Sequence, residues 1–354
     1  MWIHRRGREA GRSQSGRMSG RSTVVAGLGA LLLCASLAAS SSAATGPPIP
    51  GTPCGCFPSD NVWNTDISSL PLHARSADWV NHIGSSKNLD LAFGPPNWGM
   101  PWIVTDSSTP KYSVSFRSPY DSDPGPYPIA ANTPIEQGTN DYHAFMIDKS
   151  TCTLYELYDA VWNGGHPTAG NGAIFNLNTN GMRPDGWSSA DDAGLPIWPG
   201  QARPDEVLSG AIRHAFRFTA QVTNPTQGSH LWPARYEAAY TGITPDPKIP
   251  PMGARFRLKA SYDISHYSPQ AQVILRALQH YGMFLADIGC DWCLGGTVDP
   301  FWTSALTSEL RQVPASQFEV VDESSLMVDP NSAQARQSGN LADVVRPAAI
   351  KDLQ

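Results

Sequence analysis

Beyond Arg21 the chain has no run of basic side chains, and charged residues of both signs make up only 16% of its 354 positions. A surface that holds nucleic acid through phosphate contacts needs such a run, so that class is excluded. Also missing are His-Glu-x-x-His, Gly-x-Ser-x-Gly, a phosphate-binding glycine loop and a dinucleotide fingerprint. Zincins, α/β-hydrolases, nucleotide enzymes and nicotinamide dehydrogenases lose their support with them. No internal repeat or Ser/Gly/Pro linker divides the chain.

What is present begins with an address. Arg5, Arg6, Arg8, Arg12, Arg17 and Arg21 precede the apolar run from Val24 to Ala39, which ends in Ser40-Ser41-Ser42-Ala43-Ala44. Basic, apolar and small-residue regions in that order read as a signal peptide over residues 1–44. The apolar run is broken by Gly27 and Gly29 and falls short of the ~20 residues a spanning helix needs. A released, extracellular protein with no membrane contact after signal removal is expected. Losing six Arg and one Glu leaves 19 basic against 30 acidic residues, a net charge of −11. Cys54, Cys56, Cys152, Cys290 and Cys293 remain. In an exported chain they predict disulfides: Cys290 with Cys293 as a local bridge, Cys152 with Cys54 or Cys56, and one thiol left over.

The 31 Gly and 31 Pro point to long ordered loops around a real core. A proline-rich arm (45–56), a single β-rich catalytic-type domain (57–325) and a polar, mobile tail (326–354) follow. Strand-like runs occur at residues 112–117, 144–148, 153–158, 173–177, 214–222, 254–259, 283–287 and 318–321. The clearest helix is 268–281, with Ser268 to cap it, Pro269 in its first turn and Gly282 to stop it. Residues 76–83 and 203–212 are weaker helices. The fold class is α+β and β-rich: one large domain, a sandwich- or barrel-like antiparallel sheet with a few marginal helices.

Two alternating runs, Asp141–Asp148 and Cys152–Asp159, flank a polar turn. A hairpin centred between Lys149 and Ser150 pairs Ile147 with Cys152, Phe145 with Leu154, His143 with Glu156 and Asp141 with Tyr158. One face then ends in Asp141, His143, Glu156 and Tyr158, with the Asp141 and Glu156 backbones roughly 7–8 Å apart. That spacing suits an acid and a base on either side of a glycosidic bond. It equally suits a polar pair closing a sheet margin. His214 shares a strand face with Phe216 and Phe218 and is a further catalytic candidate. Arg235, Tyr236 and Arg257 offer groups for an acidic polymer, although the Arg255-Arg257-Lys259 alternation also describes a solvated sheet face. Asp121, Asp123, Asp287 and Asp291 are loop carboxylates of the kind that hold calcium or position a water, although turn chemistry accounts for them better. Trp63 and Trp187 stand in polar, Gly- or Asn-rich surroundings where a flat ring can meet a sugar.

The stretches Phe57–Asn64, Asp123–Pro128, Gly210–Ala215 and Pro250–Lys259 resemble those of a family of exported, Trp-rich bacterial proteins with no assigned activity. The resemblance implies export and one domain, and transfers no catalytic residue. The sequence reading is a secreted glycoside hydrolase acting on an extracellular polysaccharide. Asp141 and Glu156 serve as acid and base or nucleophile, His143 and Tyr158 tune them, and no cofactor or metal is expected. The alternatives are a polysaccharide lyase acting on uronates and a non-catalytic sugar-binding protein.

Overall fold

A computed structural model describes residues 45–222, 230–237, 244 and 246–337. The expected signal peptide (1–44) and the end of the expected tail (338–354) lie outside these residues. Among the described residues the domain is α+β and strand-rich, with strands β1 (Asp90–Leu91), β2 (Trp102–Thr105), β3 (Ser115–Phe116), β4 (Ala144–Asp148), β5 (Thr153–Tyr158), β6 (Thr168–Ala169), β7 (Asn171–Asn176), β8 (Phe216–Ala220), β9 (Arg255–Leu258), β10 (Met283–Ile288), β11 (Cys293–Leu294) and β12 (Phe318–Val320). Four helices join them: α1 (Ser76–Ile83), α2 (Pro204–Ser209), α3 (Pro269–His280) and α4 (Ser304–Leu310). No helix among these residues is long and apolar enough to cross a membrane.

Two sheets carry the architecture. One runs β1-β11-β8-β10-β9-β12 and the other β2-β4-β5-β7. The strands are not all antiparallel as the sequence suggests: β8 lies parallel to β10, β2 to β4 and β1 to β11. The β8 and β10 runs are continuously buried over Phe216–Ala220 and Met283–Ala286, as expected of strands covered on both faces.

Alternation on β4 and β5 divides the core. Phe145, Ile147 and Leu154 join the large cluster beneath the six-stranded sheet, whereas Ala144, Met146, Tyr155 and Leu157 pack with Val114, Tyr127 and Ile129 on the opposite face. Each large side chain so buried contributes about 1.5–3 kcal/mol. The helix α3 follows its sequence signals. Ser268 Oγ accepts from the Ala271 N–H at 3.3 Å, Ile274, Leu275 and Leu278 are fully buried, and Gly282 leaves the helix with φ +63°.

The ends are more ordered than the composition suggests. The proline-rich arm folds back on itself through bridges Thr45–Pro58 and Pro48–Gly55, and a disulfide joins Cys54 to Cys152. The second disulfide is Cys290–Cys293, and Cys56 is the remaining thiol, its pKa pushed up to about 12 by burial. Residues 326–337 are a packed segment rather than the start of a mobile tail. Leu326, Ala333 and Ala335 are buried, and bridges tie Gln334 to Asn61 and Ser332 to Gly181. The low apolar content hides this, because the segment is held by backbone pairing.

Candidate functional site

The hairpin forms on the expected faces but in a different register. Phe145 stands opposite Glu156 and Ile147 opposite Leu154, so the connection is a four-residue loop, Lys149–Cys152, instead of a two-residue turn. A shift of two residues preserves each face while changing every partner. The ladder ends with Tyr142 and Asp159 in the left-handed region (φ +46° and +51°), held by Asp159 N–H to Asp141 O and Ala160 N–H to Tyr142 O. Asp141 thus lies four residues farther along the hairpin than Glu156, roughly 13 Å of strand. The expected acid–base spacing between them is absent.

Glu156 points into the core. It is fully buried and accepts the backbone N–H groups of Ile197 and Trp198 at 2.9–3.0 Å, closing the start of the 3-10 turn Trp198–Gly200. Burial raises its pKa to about 7 against the pull of those donors. His214 is likewise committed, Nδ1 to the Ala215 carbonyl at 2.7 Å and Nε2 to Glu206 at 2.9 Å. Arg235 spends its donors on the carbonyls of Arg183 and Pro330 and on Asn331. Arg257 holds Glu319 and the carbonyls of Ile67, Ser68 and Leu70. The supposed solvated strip is therefore a staple, and Arg255 is entirely buried on Glu323, Val62 O, Thr65 O and Tyr281 O. Trp63 is core, edge-on to Phe284.

The remaining expected residues, His143, Tyr158, Tyr236 and Trp187, border one acidic cluster that the sequence reading largely misses. His143 is buried at the entry to β4, with Nδ1 2.6 Å from Glu136 Oε2 and Nε2 3.2 Å from the Ala190 carbonyl. Burial opposes its charged form, but the Glu136 carboxylate outweighs burial and holds the imidazole pKa above its usual value. Across from it, Arg217 of β8 grips Asp191 with two bonds, Nε–Oδ2 2.9 Å and Nη2–Oδ1 2.5 Å, and reaches Asp287 Oδ2 at 3.2 Å.

A bulge aims Asp287. Leu285 pairs with Phe218 but Asp287 with Thr219, so Ala286 is an extra residue in β10, and such insertions re-aim side chains at functional sites. The freed Ala286 carbonyl accepts the Ala193 N–H at 2.9 Å, and the Ala193 carbonyl accepts from Arg235 N–H at 2.8 Å. Ala193 therefore ties the Asp191–Asp192 loop both to the bulge and to the segment Arg235–Glu237. Gly194 completes that turn with φ +68°, where a Cβ would stand 2.4 Å from Trp187 O.

Electrostatics separate the carboxyls. Asp287 has its pKa raised well above the ordinary value, first by burial and then by the charge of Asp191, against the pull of Arg217. A carboxyl that faces the charge of a second one holds its proton to higher pH. Asp192 is raised to about 6 by burial and by Asp191, and its carboxylate accepts no hydrogen bond among the described residues. Tyr158 feels burial, then Asp141; Tyr236 feels burial, then Asp192, Asp121 and Glu237; both phenols are raised. Trp187 lies under the Arg183 guanidinium beside Ser188, whose hydroxyl donates to Asp121 at 2.5 Å.

Sequence reasoning misses Glu136, Asp191, Asp192, Arg217 and Glu237, and takes Asp287 and Asp121 for turn residues. The tandem Asp191-Asp192 before Ala193-Gly194, and Arg217 opposite the faces of Phe216 and Phe218, are the available signals. A cavity of about 650 Å³ lies elsewhere, between Thr45–Pro48, α2 and Tyr281; its Glu206 is already consumed by Arg203 and His214. Comparison of the chain with protein-family models, curated proteins and solved structures finds no match.

Proposed function

We propose that the protein is a secreted glycoside hydrolase acting on an extracellular polysaccharide, with Asp287 as general acid and Asp192 as general base. The observation that carries this reading is the placing of Asp191 and Asp287 on one guanidinium, that of Arg217, beside an Asp192 that accepts no hydrogen bond among the described residues. Carboxyls pushed to different protonation states divide into acid and base roles. Asp287 gives its proton to the glycosidic oxygen as the C–O bond breaks and its electron pair leaves with the alcohol. Water adds to the anomeric carbon and passes its proton to Asp192. Asp191 stays paired to Arg217 and holds the charge that keeps Asp287 protonated. The hydroxyls of Tyr158 and Tyr236 and the face of Trp187 border the same place and suit a sugar ring. Two disulfides fit an oxidising, extracellular compartment.

The lyase alternative asks for a cation to neutralise a uronate carboxylate. Arg235 and Arg257 are engaged by backbone carbonyls, Asn331 and Glu319, and Arg217 by Asp191 and Asp287, which favours hydrolysis of a polymer without acidic groups. The test is incubation of the protein with a polysaccharide panel, reading new reducing ends and ultraviolet absorbance together across pH. Reducing ends without absorbance, at a rate that climbs as pH rises through about 6 while Asp192 ionises, are expected. Ends accompanied by absorbance would replace the reading with a lyase, and binding without new ends with a sugar-binding protein.

A further inference from the structure

Next to the acid–base pair stands a carboxyl that the reaction above does not use. Glu237 is 7% exposed. Its Oε2 accepts the Met252 N–H at 2.7 Å, and its Oε1 is buried without a hydrogen-bond partner among the described residues. An unpaired buried acceptor costs about 1–3 kcal/mol, more when charged, so Glu237 Oε1 calls for a donor.

Backbone bonds fix where Glu237 lies. Arg235 and Tyr236 N–H both donate to Ala193 O, at 2.8 and 3.3 Å, setting the segment that ends in Glu237 against Asp192. The residue after Met252, Gly253, donates to Leu285 O at 2.8 Å, and Ala193 N–H to Ala286 O. The segments that carry Glu237, Asp192 and Asp287 thereby meet at the β10 bulge, and the Asp192 charge reaches Glu237. The basic groups of the neighbourhood are already spent: Arg217 on Asp191 and Asp287, Arg235 on carbonyls and Asn331, and His143 on Glu136 and Ala190 O. What this corner lacks is a cation with several N–H donors. Among the described residues no three His, Cys, Asp or Glu side chains are placed to hold a metal ion, so a compact organic cation fits better than a divalent metal.

We infer that Glu237 and Asp192 form a subsite for the ammonium group of an amino sugar, making the substrate a polysaccharide with free amines rather than its N-acetylated or uncharged counterparts. The inference rests on the hydrolase reading and names its substrate class. An ammonium offers three donors: one satisfies Glu237 Oε1, a second meets Asp192, and a third is left for the Tyr236 hydroxyl or water. An N-acetyl group at the same place brings one N–H and a bulky acyl oxygen into an acidic corner. The chain's excess of Asp and Glu over Lys and Arg, 31 against 25, assists the approach of a polycation over distances of a Debye length.

The experiment uses a glucosamine hexasaccharide and its N-acetylated twin as probes, with binding measured by calorimetry on the Asp287→Asn protein and cleavage measured on the wild type. Binding of the amine form at least tenfold tighter than the N-acetyl form is expected. In the Asp287→Asn/Glu237→Gln protein that preference should fall roughly ten- to hundredfold. Glutamine keeps an acceptor for Met252 N–H, so the fold survives, which circular dichroism checks. Equal affinity for the two probes, no binding of either, or a preference that Glu237→Gln leaves unchanged would overturn the inference. Calcium binding that depends on Glu237 with no amine preference would overturn it in favour of a metal site. Binding isolates this inference from the hydrolase reading: an amine preference with no cleavage on any polymer removes the hydrolase and keeps the subsite, whereas cleavage of the N-acetylated polymer alone does the reverse.

Discussion

Glu156 and Asp192 are both carboxylates near the boundary of the two sheets, and both have raised pKa values for the same first reason, burial. They differ in what they touch. Glu156 is closed on every side, its oxygens taken by the backbone of Ile197 and Trp198. Asp192 stays half-buried with no hydrogen bond among the described residues. A raised pKa alone therefore does not single out the proposed acid and base; uncommitted lone pairs and a route to solvent do. The same contrast separates His214, both nitrogens spent inside the core, from the Asp191–Asp287 pair, where 27% of the Asp287 side chain remains exposed.

The largest effect should come from exchanging these two kinds of carboxyl for amides. Asp287→Asn removes the acidic proton but keeps an acceptor for the Ile288 N–H, which Asp287 Oδ1 now accepts at 2.8 Å. Its expected loss in kcat/KM is about 10²–10⁴-fold. Glu156→Gln keeps an oxygen for Ile197 and Trp198 and should leave kcat/KM within a few-fold. Steady-state kinetics on the best substrate of the panel decide it; a loss in Glu156→Gln as deep as that in Asp287→Asn would erase the distinction.

Much of the fold is legible because it is written locally. β4, β5, β8, β9 and β10 follow their alternating or apolar runs, and α3 carries its cap, its N-terminal proline and its stop. The two-residue strands β1 and β11 and the parallel order leave no such trace, since they depend on neighbours far along the chain. Legibility of the site stops for the same reason. The faces of the β4–β5 hairpin are period-two facts, but its register rests on a loop of Lys149–Cys152 whose Cys152 adopts φ +51° and is tied to Cys54. Asp287 looks like a turn residue until the Ala286 bulge turns it toward Asp191, and that bulge appears only when β10 is laid against β8. Asp191 and Asp192 occupy a loop without strand or helix, where no periodicity points anywhere.

A second contrast concerns charge pairs. Arg217 is buried between two carboxyls and beside the Glu136–His143 pair, whereas Arg117 meets Asp159 with 62% of its side chain exposed. Arg217→Leu leaves Asp191 buried without its partner and should cost about 3–5 kcal/mol of unfolding free energy. Arg117→Leu should cost no more than about 1 kcal/mol. Urea denaturation near neutral pH measures both, and equal midpoints would mean that the cluster is far better hydrated than its burial indicates.

The smallest effect tests whether Glu237 belongs with Asp192 or with Glu156. Its folded pKa of about 8 stands above the roughly 4.3 of an unfolded glutamate. Burial is the main cause, with Asp192 adding to it against the Met252 N–H. A raised carboxyl contributes stability that is fully present below the unfolded value and is lost as pH rises through the folded one, because the unfolded chain ionises first. Wild type should therefore lose ground to Glu237→Gln between about pH 4 and pH 8, and the gap in Tm should level off above that. Glu156→Gln should show the same sign with the levelling nearer pH 7. The two variants then part on addition of the glucosamine hexasaccharide at pH 7. The amine should raise the Tm of Glu156→Gln as it does that of the wild type, and raise that of Glu237→Gln much less, since an amide, unlike Glu237, cannot give up a proton to face the ammonium as a carboxylate.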